Sequence, residues 1–341
     1  MSGRYSAQVT SVAAVAAIST LVLAACGSSS PSKSSSSSGG SSPLKGKTIE
    51  IIVGNASDPF YVTMECGAEQ EAAKLGVKLT TAGPSSFTPT LQKPIIDEAE
   101  VSKPAALLVA PTDVSKLDPD LQKIASNGTK IIFVDTSSSD MSLGLSRISS
   151  NNVLGGQIAA GNLGKLLNGK GTVGVISMAK GTSTTDARVQ GFEQEMKSKY
   201  PGIKLLPEQN DVDATPTQAT SFIESDITAN PSLSGVFAAN TVTAQGVAAG
   251  LTHASKQGKV KMVSFDAEPP EMQMLSSNVA QVIIAQEPAV EGQDGVIQAV
   301  NAIEGKKVTA SIPTPLTAIT SSNMNEANIK PLVYKSSTAG C

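Results

Sequence analysis

The chain has 341 residues and a formal net charge of −3, with 16% charged and 3% aromatic side chains. A balance so near neutral argues against a nucleic-acid-binding surface, which would be basic. The length allows two lobes, each with its own core.

Arg4 precedes an apolar run from Val12 to Ala25, broken only by Ser19 and Thr20. The run is too short and too rich in alanine for a transmembrane helix, and residues 1–25 read as an export signal. Its end, Leu23-Ala24-Ala25-Cys26, resembles the lipobox of bacterial lipoproteins. That resemblance implies that Cys26 is lipidated and becomes the mature N-terminus; the alternative is an ordinary signal with a chance cysteine. Residues 26–44 contain GSSSPSKSSSSSGGSSP, which has almost nothing apolar to bury. A Gly/Ser linker of roughly 17 residues spans about 20–25 Å r.m.s., the reach of a tether just off a membrane. One acyl chain binds membranes marginally. The lipoprotein resemblance implies several, and so a firm anchor on the extracytoplasmic face of the cell membrane.

From 45 to 335 the composition is globular. Short β-branched runs at 48–53, 77–80, 106–110 and 130–134 predict strands, with helices at 61–75, 91–102 and 117–126 between them. A second series of strands at 172–177, 203–206, 235–239, 260–265 and 279–284 alternates with helices at 153–167, 188–199, 217–229, 244–256, 270–276 and 289–303. This alternation predicts an α/β fold of βαβ units with parallel sheets. The nearly all-apolar strands fit sheets covered by helices on both faces. The pattern pauses in the Ser-rich stretch between Asp135 and Asn152, read as a lobe boundary. The expected lobes are 45–148 with 287–313, and 149–286 with part of 314–341. Two doubly wound lobes leave a hinged cleft at the carboxyl ends of their strands, where such folds bind ligands. Cys66 and Cys341 are an even pair in an exported chain, where disulfides persist. They either pair or remain free thiols.

The strand ends share a chemistry. Val53 leads into GNASDPFY, with Asp58, Phe60 and Tyr61. Asp135 follows Val134, Asn240 follows Ala239, Asp266 follows Phe265 and Gln286 follows Ala285. Arg188 lies beyond the strand that ends at Ser177. Each polar group could be a helix cap, which Asp and Asn form well. Ser and Thr cap equally well, yet the groups at this edge are forked, which favours multiple hydrogen bonds to a ligand.

These residues resemble the type I periplasmic sugar-binding proteins, most closely the ribose-binding type. The resemblance runs through DPFYVTMECGAEQEAAKLGV, SNNVLGGQIAAGNL, GTSTTDARVQGF, TANPSLSGVFAANT, MVSFDAEP and IIAQEPAVEGQDGV, nearly the whole globular part. It implies that Asp58 bonds sugar hydroxyls and that Phe60 and Tyr61 stack on or wall in the ring. It also implies that Asp135, Arg188, Asn240, Asp266 and Gln286 bind hydroxyls and the ring oxygen. Two departures stand out. Thr136, counted among the candidate ligand-binding residues by its place next to Asp135, replaces the arginine that follows Asp135 in the ribose-binding pattern, and NDVDATPT offers only Val212 where the family places a second-lobe aromatic. Core packing is the competing role for Phe60 and Tyr61.

The chemistry suits a sugar, whose C–H faces meet aromatic rings and whose hydroxyls meet ionised forks. Asp58, Asp135 and Asp266 against Arg188 give the cleft a net charge of about −2 if all ionise, which favours neutral ligands over sugar acids and phosphates. An enzyme is not expected. The lone histidine, His253, lies in a helical stretch away from the strand ends; no His/Cys cluster suggests a metal, and no triad can be assembled. GKGTVG at 169–174 precedes a strand instead of opening a helix, so it reads as a turn and not a phosphate cradle. No cofactor is expected. The resemblance implies a monomeric receptor that captures a monosaccharide or polyol and meets the permease subunits of an ABC importer. A sensor acting through a membrane kinase or chemoreceptor is the alternative.

Overall fold

The computed structural model describes residues 44–339 and 341. The expected signal peptide, Cys26 and almost all of the linker lie outside the described residues.

The first sheet has the strand order β12-β5-β4-β3-β1-β2 and is parallel throughout. Its strands are β1 (Thr48–Ile52), β2 (Lys78–Ala82), β3 (Ala106–Val109), β4 (Lys130–Val134), β5 (Ser146–Ser150) and β12 (Ser311–Thr314). Helices α1 (Pro59–Leu75), α2 (Pro89–Ser102), α3 (Asp118–Ser126) and α9 (Pro288–Ile303) pack against it. The second sheet runs β13-β11-β10-β9-β6-β7, with β8 also on β6. It comprises β6 (Gly171–Met178), β7 (Ile203–Leu205), β8 (Gln209–Asp211), β9 (Leu233–Ala238), β10 (Lys261–Phe265), β11 (Val282–Ala285) and β13 (Thr317–Thr320). Only β13 is antiparallel. Its helices are α4 (Asn152–Leu166), α5 (Ser183–Lys199), α6 (Pro216–Ala229), α7 (Thr241–His253) and α8 (Pro269–Ser276). The two doubly wound lobes are therefore as the alternation implied.

The stretch 135–152 is more than a pause. It contains β5, whose sequence SRISS is too polar to announce a strand, although Ser146, Ile148 and Ser150 point inward and are buried. Only after β5 does the chain leave the first lobe, at α4. It returns between β11 and α9 and leaves again between β12 and β13. Short β8, β12 and β13 were not evident from the sequence either, because each gains its stability from a neighbouring strand. Helix α5 begins at Ser183, five residues before the expected start, so Arg188 sits inside the helix.

Close backbone approach seats α9 on α1. A Cβ on Gly67 would collide with Ala289 O, and one on Gly292 with Met64 O. That packing carries the start of α1, and with it Asp58, to the cleft.

Candidate functional site

One cavity between the lobes is lined by Asp58, Phe60, Tyr61, Asp135, Arg188, Asn240, Asp266 and Gln286. The lobes meet directly at its edge: Val114 N–H donates to Gly181 O at 3.0 Å, and Ser137 N–H to Ser183 Oγ at 3.1 Å.

Asp58 is the N-cap of α1, and Pro59 occupies the first helical position, where its missing N–H costs nothing. Asp58 Oδ1 accepts from Phe60 N–H at 2.9 Å. Phe60 and Tyr61 meet edge to face, 5.2 Å between centroids. Tyr61 donates its hydroxyl proton to Asp135 Oδ2 at 2.6 Å. Both rings are buried, so packing and cavity lining coincide here. Gly54 makes room for them, since a Cβ there would strike Phe87 and the Tyr61 hydroxyl.

Asp135 and Asp266 occupy equivalent places, one residue beyond β4 and β10. Both adopt positive φ, 58° and 74°, a conformation in which Asp is among the better-tolerated side chains. Each N–H donates across to the neighbouring strand, Asp135 to Ile148 O at 2.8 Å and Asp266 to Ile284 O at 2.9 Å. The turn aims each carboxylate over the sheet edge into the cavity.

The second lobe wires its side chains to one another. Asp266 Oδ1 accepts from Gln286 Nε2 at 2.6 Å and from the Tyr334 hydroxyl at 3.2 Å, and Oδ2 accepts from Thr241 N–H at 3.2 Å. Arg188 donates through Nε to Asn152 Oδ1 at 2.8 Å and through Nη1 to Ala239 O at 2.9 Å. Its guanidinium lies over the Phe265 ring, 4.1 Å from the centroid, and 3.9 Å from Asp266 Oδ2. Asn240 caps α7 through Oδ1, so capping and cavity lining again fall on one residue. Gln286 Oε1 is buried without a protein partner.

Burial reshapes the charge expected from the sequence. It raises Asp58 to about 7, aided by the nearby charge of Asp266. It raises Asp135 to about 6, against the Tyr61 hydroxyl and Arg188. Glu268, which faces Asp58, is raised to about 10 by burial and then by Asp58 itself. Glu291 accepts from Ser150 and Thr314 and is raised to about 8 by burial and Asp135. The cavity is thus lined and backed by more carboxyls than expected, several of them holding protons near neutrality.

Thr136 does not join this cavity. Its hydroxyl donates to Pro111 O at 2.8 Å, and the residue lines a separate space beside Arg147. It was placed in the site by position in the chain, but the turn at Asp135 swings the next side chain away. Val212 is exposed at the cleft mouth, beside Phe87. Ala214 and Phe87 do line the cavity, so an aromatic from the first lobe stands there. Phe87 was missed; the signal was a rare aromatic just past a strand. Glu268 and Tyr334 were also missed, and nothing local in the sequence marks them. His253 is exposed beside Glu224, at 3.0 Å.

Cys66 and Cys341 are joined as a disulfide, their Cα atoms 5.2 Å apart. Cys66 is buried although it lies off the core face of α1, because the C-terminal segment covers it.

Two parallel-sheet lobes with a polar and aromatic cavity at their strand ends define a bilobal solute receptor. A family model, the periplasmic binding protein domain, matches residues 49–307, and the chain belongs to that family as a type I sugar-binding member. An ABC transporter solute-binding protein from Agrobacterium vitis, solved with α-D-tagatopyranose, is 38% identical. It aligns with a TM-score of 0.83 over 85% of this chain and 99% of that one. A carbohydrate transporter solute-binding protein from Agrobacterium radiobacter, in complex with D-arabinose, is 29% identical, with a TM-score of 0.79 over 84% and 98%. The ribose import binding protein of Salmonella typhimurium is 29% identical over 269 residues, 79% of this chain and 89% of its own.

Proposed function

We propose that this protein captures a neutral monosaccharide or polyol in the interlobe cavity and delivers it to an ABC importer. The observation that carries the reading is the convergence of Asp58, Asp135, Arg188, Asn240, Asp266 and Gln286 from two sheets on one cavity walled by Phe60, Tyr61 and Phe87. Hydrogen bonds to charged groups are worth about 1.5–3 kcal/mol each, so a few of them support micromolar binding after ordering costs. Both lobes touch one ligand, so binding shifts the population toward the closed form, whose surface the permease would recognise. The protein acts as a receptor and performs no chemistry on its ligand. Relatives bind tagatopyranose and arabinose, which supports neutral ketoses and aldoses. Arg188 is the lone cation lining the described cavity and is already engaged by Asn152, Ala239 and Asp266, so a ligand anion finds little to pair with.

A thermal-shift screen of pentoses, hexoses, polyols and their acids tests this. Ligand at a hundred times Kd stabilises by about 2.7 kcal/mol. A neutral sugar is expected to raise the melting temperature, and tighter binding of the matching acid would overturn the assignment. Cys26 anchors the mature chain to lipid in this reading. Wild type should enter the detergent phase on extraction and Cys26→Ala should not; wild type in the aqueous phase would end the proposal of an anchor.

A further inference from the structure

The three crossings between the lobes leave residues 321–341 unexplained. After β13 the segment is seated by buried Ile329 and a 3-10 turn, Lys330–Leu332. Tyr334 N–H then donates to Ala267 O of the second lobe at 3.0 Å. The very next amide, Lys335 N–H, donates to Thr63 Oγ1 on α1 of the first lobe at 2.6 Å. Further on, Gln70 Nε2 donates to Cys341 O at 3.1 Å, and Cys341 is bonded to Cys66 of the same helix. The tail is a fourth connection between the lobes, a strap whose outer end is covalent.

Tyr334 sits at the crossing point, 3% exposed. Its hydroxyl donates to Asp266 Oδ1 at 3.2 Å and accepts from Gln286 N–H at 3.1 Å. Its ring meets Phe60 edge-on, 5.7 Å between centroids. Tyr334 thus touches three cavity-lining residues, drawn from both lobes.

We propose that Tyr334 is a positioning residue of the sugar site and that the Cys66–Cys341 disulfide holds it there through the strap; this rests on the sugar-binding reading above. The hydroxyl shares Asp266 Oδ1 with Gln286 Nε2 and satisfies the Gln286 amide. This fixes the carboxylate and leaves Oδ2, hydrogen-bonded among the described residues to the Thr241 amide alone, as the oxygen with room for a ligand hydroxyl. Chain ends fray unless tied down. Without the disulfide the residues beyond Tyr334 are held by hydrogen bonds alone. Tyr334 then leaves its seat more often, Asp266 loses a fixed partner, and the lobes part more readily around bound sugar.

The test uses the full mature chain, with Tyr334→Phe, the double variant Cys66→Ser/Cys341→Ser, and their combination. Tyr334→Phe keeps the ring and removes the hydroxyl. It is expected to speed dissociation of a neutral sugar about tenfold. The ligand-free melting temperature should fall, because the buried Gln286 amide and Asp266 each lose a partner, while the association rate should stay nearly constant. A faster dissociation with an unchanged association rate is what a merely structural role would not produce. The double cysteine variant should speed dissociation several-fold, and the combination no more than Tyr334→Phe alone, because both act through one contact. An unchanged dissociation rate in Tyr334→Phe overturns the positioning role, and fully multiplicative effects overturn the link through the strap. Amide exchange at Gln286 without any sugar separates the two readings. Faster exchange in both variants supports the strap even if wild type binds no neutral sugar, a result that would sink the sugar reading alone. Unchanged exchange overturns the strap whatever the ligand.

Discussion

Asp135 and Asp266 stand at the same place in two lobes, with the same backbone turn and opposite surroundings. Asp266 receives Gln286, Tyr334 and the Thr241 amide and has Arg188 beside it. Among the described residues, Asp135 receives a single side-chain donor, the Tyr61 hydroxyl, with the charge of Arg188 and the carboxyl of Glu291 acting on it in opposite senses. The second lobe is wired before a ligand arrives, and its donors are fixed by neighbours in the same lobe. The first lobe supplies walls (Phe60, Tyr61 and Phe87) and carboxyls whose charge depends on burial. The two halves differ accordingly: one is preorganised by its own hydrogen bonds, and the other holds carboxyls whose protonation is set by burial.

Removing the centre of the wired half should cost most. Arg188→Ala deletes the bonds to Asn152 and Ala239 and the charge beside Asp266. Breaking a buried pair costs about 3–5 kcal/mol. Calorimetry is expected to show at least a hundredfold loss of sugar affinity, with a lower melting temperature; an affinity near wild type would break the comparison.

The two aspartates can be compared directly by amide substitution. Asp266→Asn turns one oxygen into an amide donor amid three donors and should weaken binding by about a hundredfold, or about 2.7 kcal/mol. Asp135→Asn can keep accepting from Tyr61 and should lose about tenfold. Equal losses measured by titration calorimetry would mean that the wiring of the second lobe is irrelevant to affinity.

A pH series tests the carboxyls that burial raises, three in the first lobe and Glu268 facing them from the second. Asp135, Asp58, Glu291 and Glu268 are raised to about 6, 7, 8 and 10. Between the unfolded carboxyl value, about 4, and these values the folded state binds more protons than the unfolded state. Stability therefore falls as pH rises through this window and is regained on acidification. The melting temperature should drop from pH 6 to pH 9, and Glu268→Gln, which removes a proton that must be held against Asp58, should flatten that drop. A melting temperature that rises over the same range would refute the carboxyl reading of the cleft.

The smallest effect is expected at Thr136→Val. The hydroxyl bonds Pro111 O away from the cavity, so affinity should stay within about twofold while stability falls by about 1 kcal/mol. A tenfold loss of affinity in calorimetry would return Thr136 to the site.

Much of this was written in the local sequence. Regular alternation of β-branched runs and amphipathic stretches announced two parallel sheets, because strand and helix periods are local properties. Forked polar residues just past strands announced the cleft edge, because that edge follows from parallel topology alone. Asp58, Asp135, Asn240, Asp266 and Gln286 were legible in that way and Arg188 through the family resemblance, and the structure gathers them at one cavity. Strand β5 was not legible, since SRISS becomes a strand only when β4 and β12 flank it.

What tertiary structure decided are the relations between distant segments. Thr136 and Asp135 are adjacent in sequence, yet only Asp135, at positive φ, lines the interlobe cavity, while the Thr136 hydroxyl turns to Pro111 O. Glu268 matters because folding sets it against Asp58, from the other lobe. Tyr334 matters because a strap across both lobes delivers it to Asp266 and Phe60. Local pattern specifies which residues can bond; only the packed chain sets which atoms share a buried volume, and burial is what fixes their charges and partners.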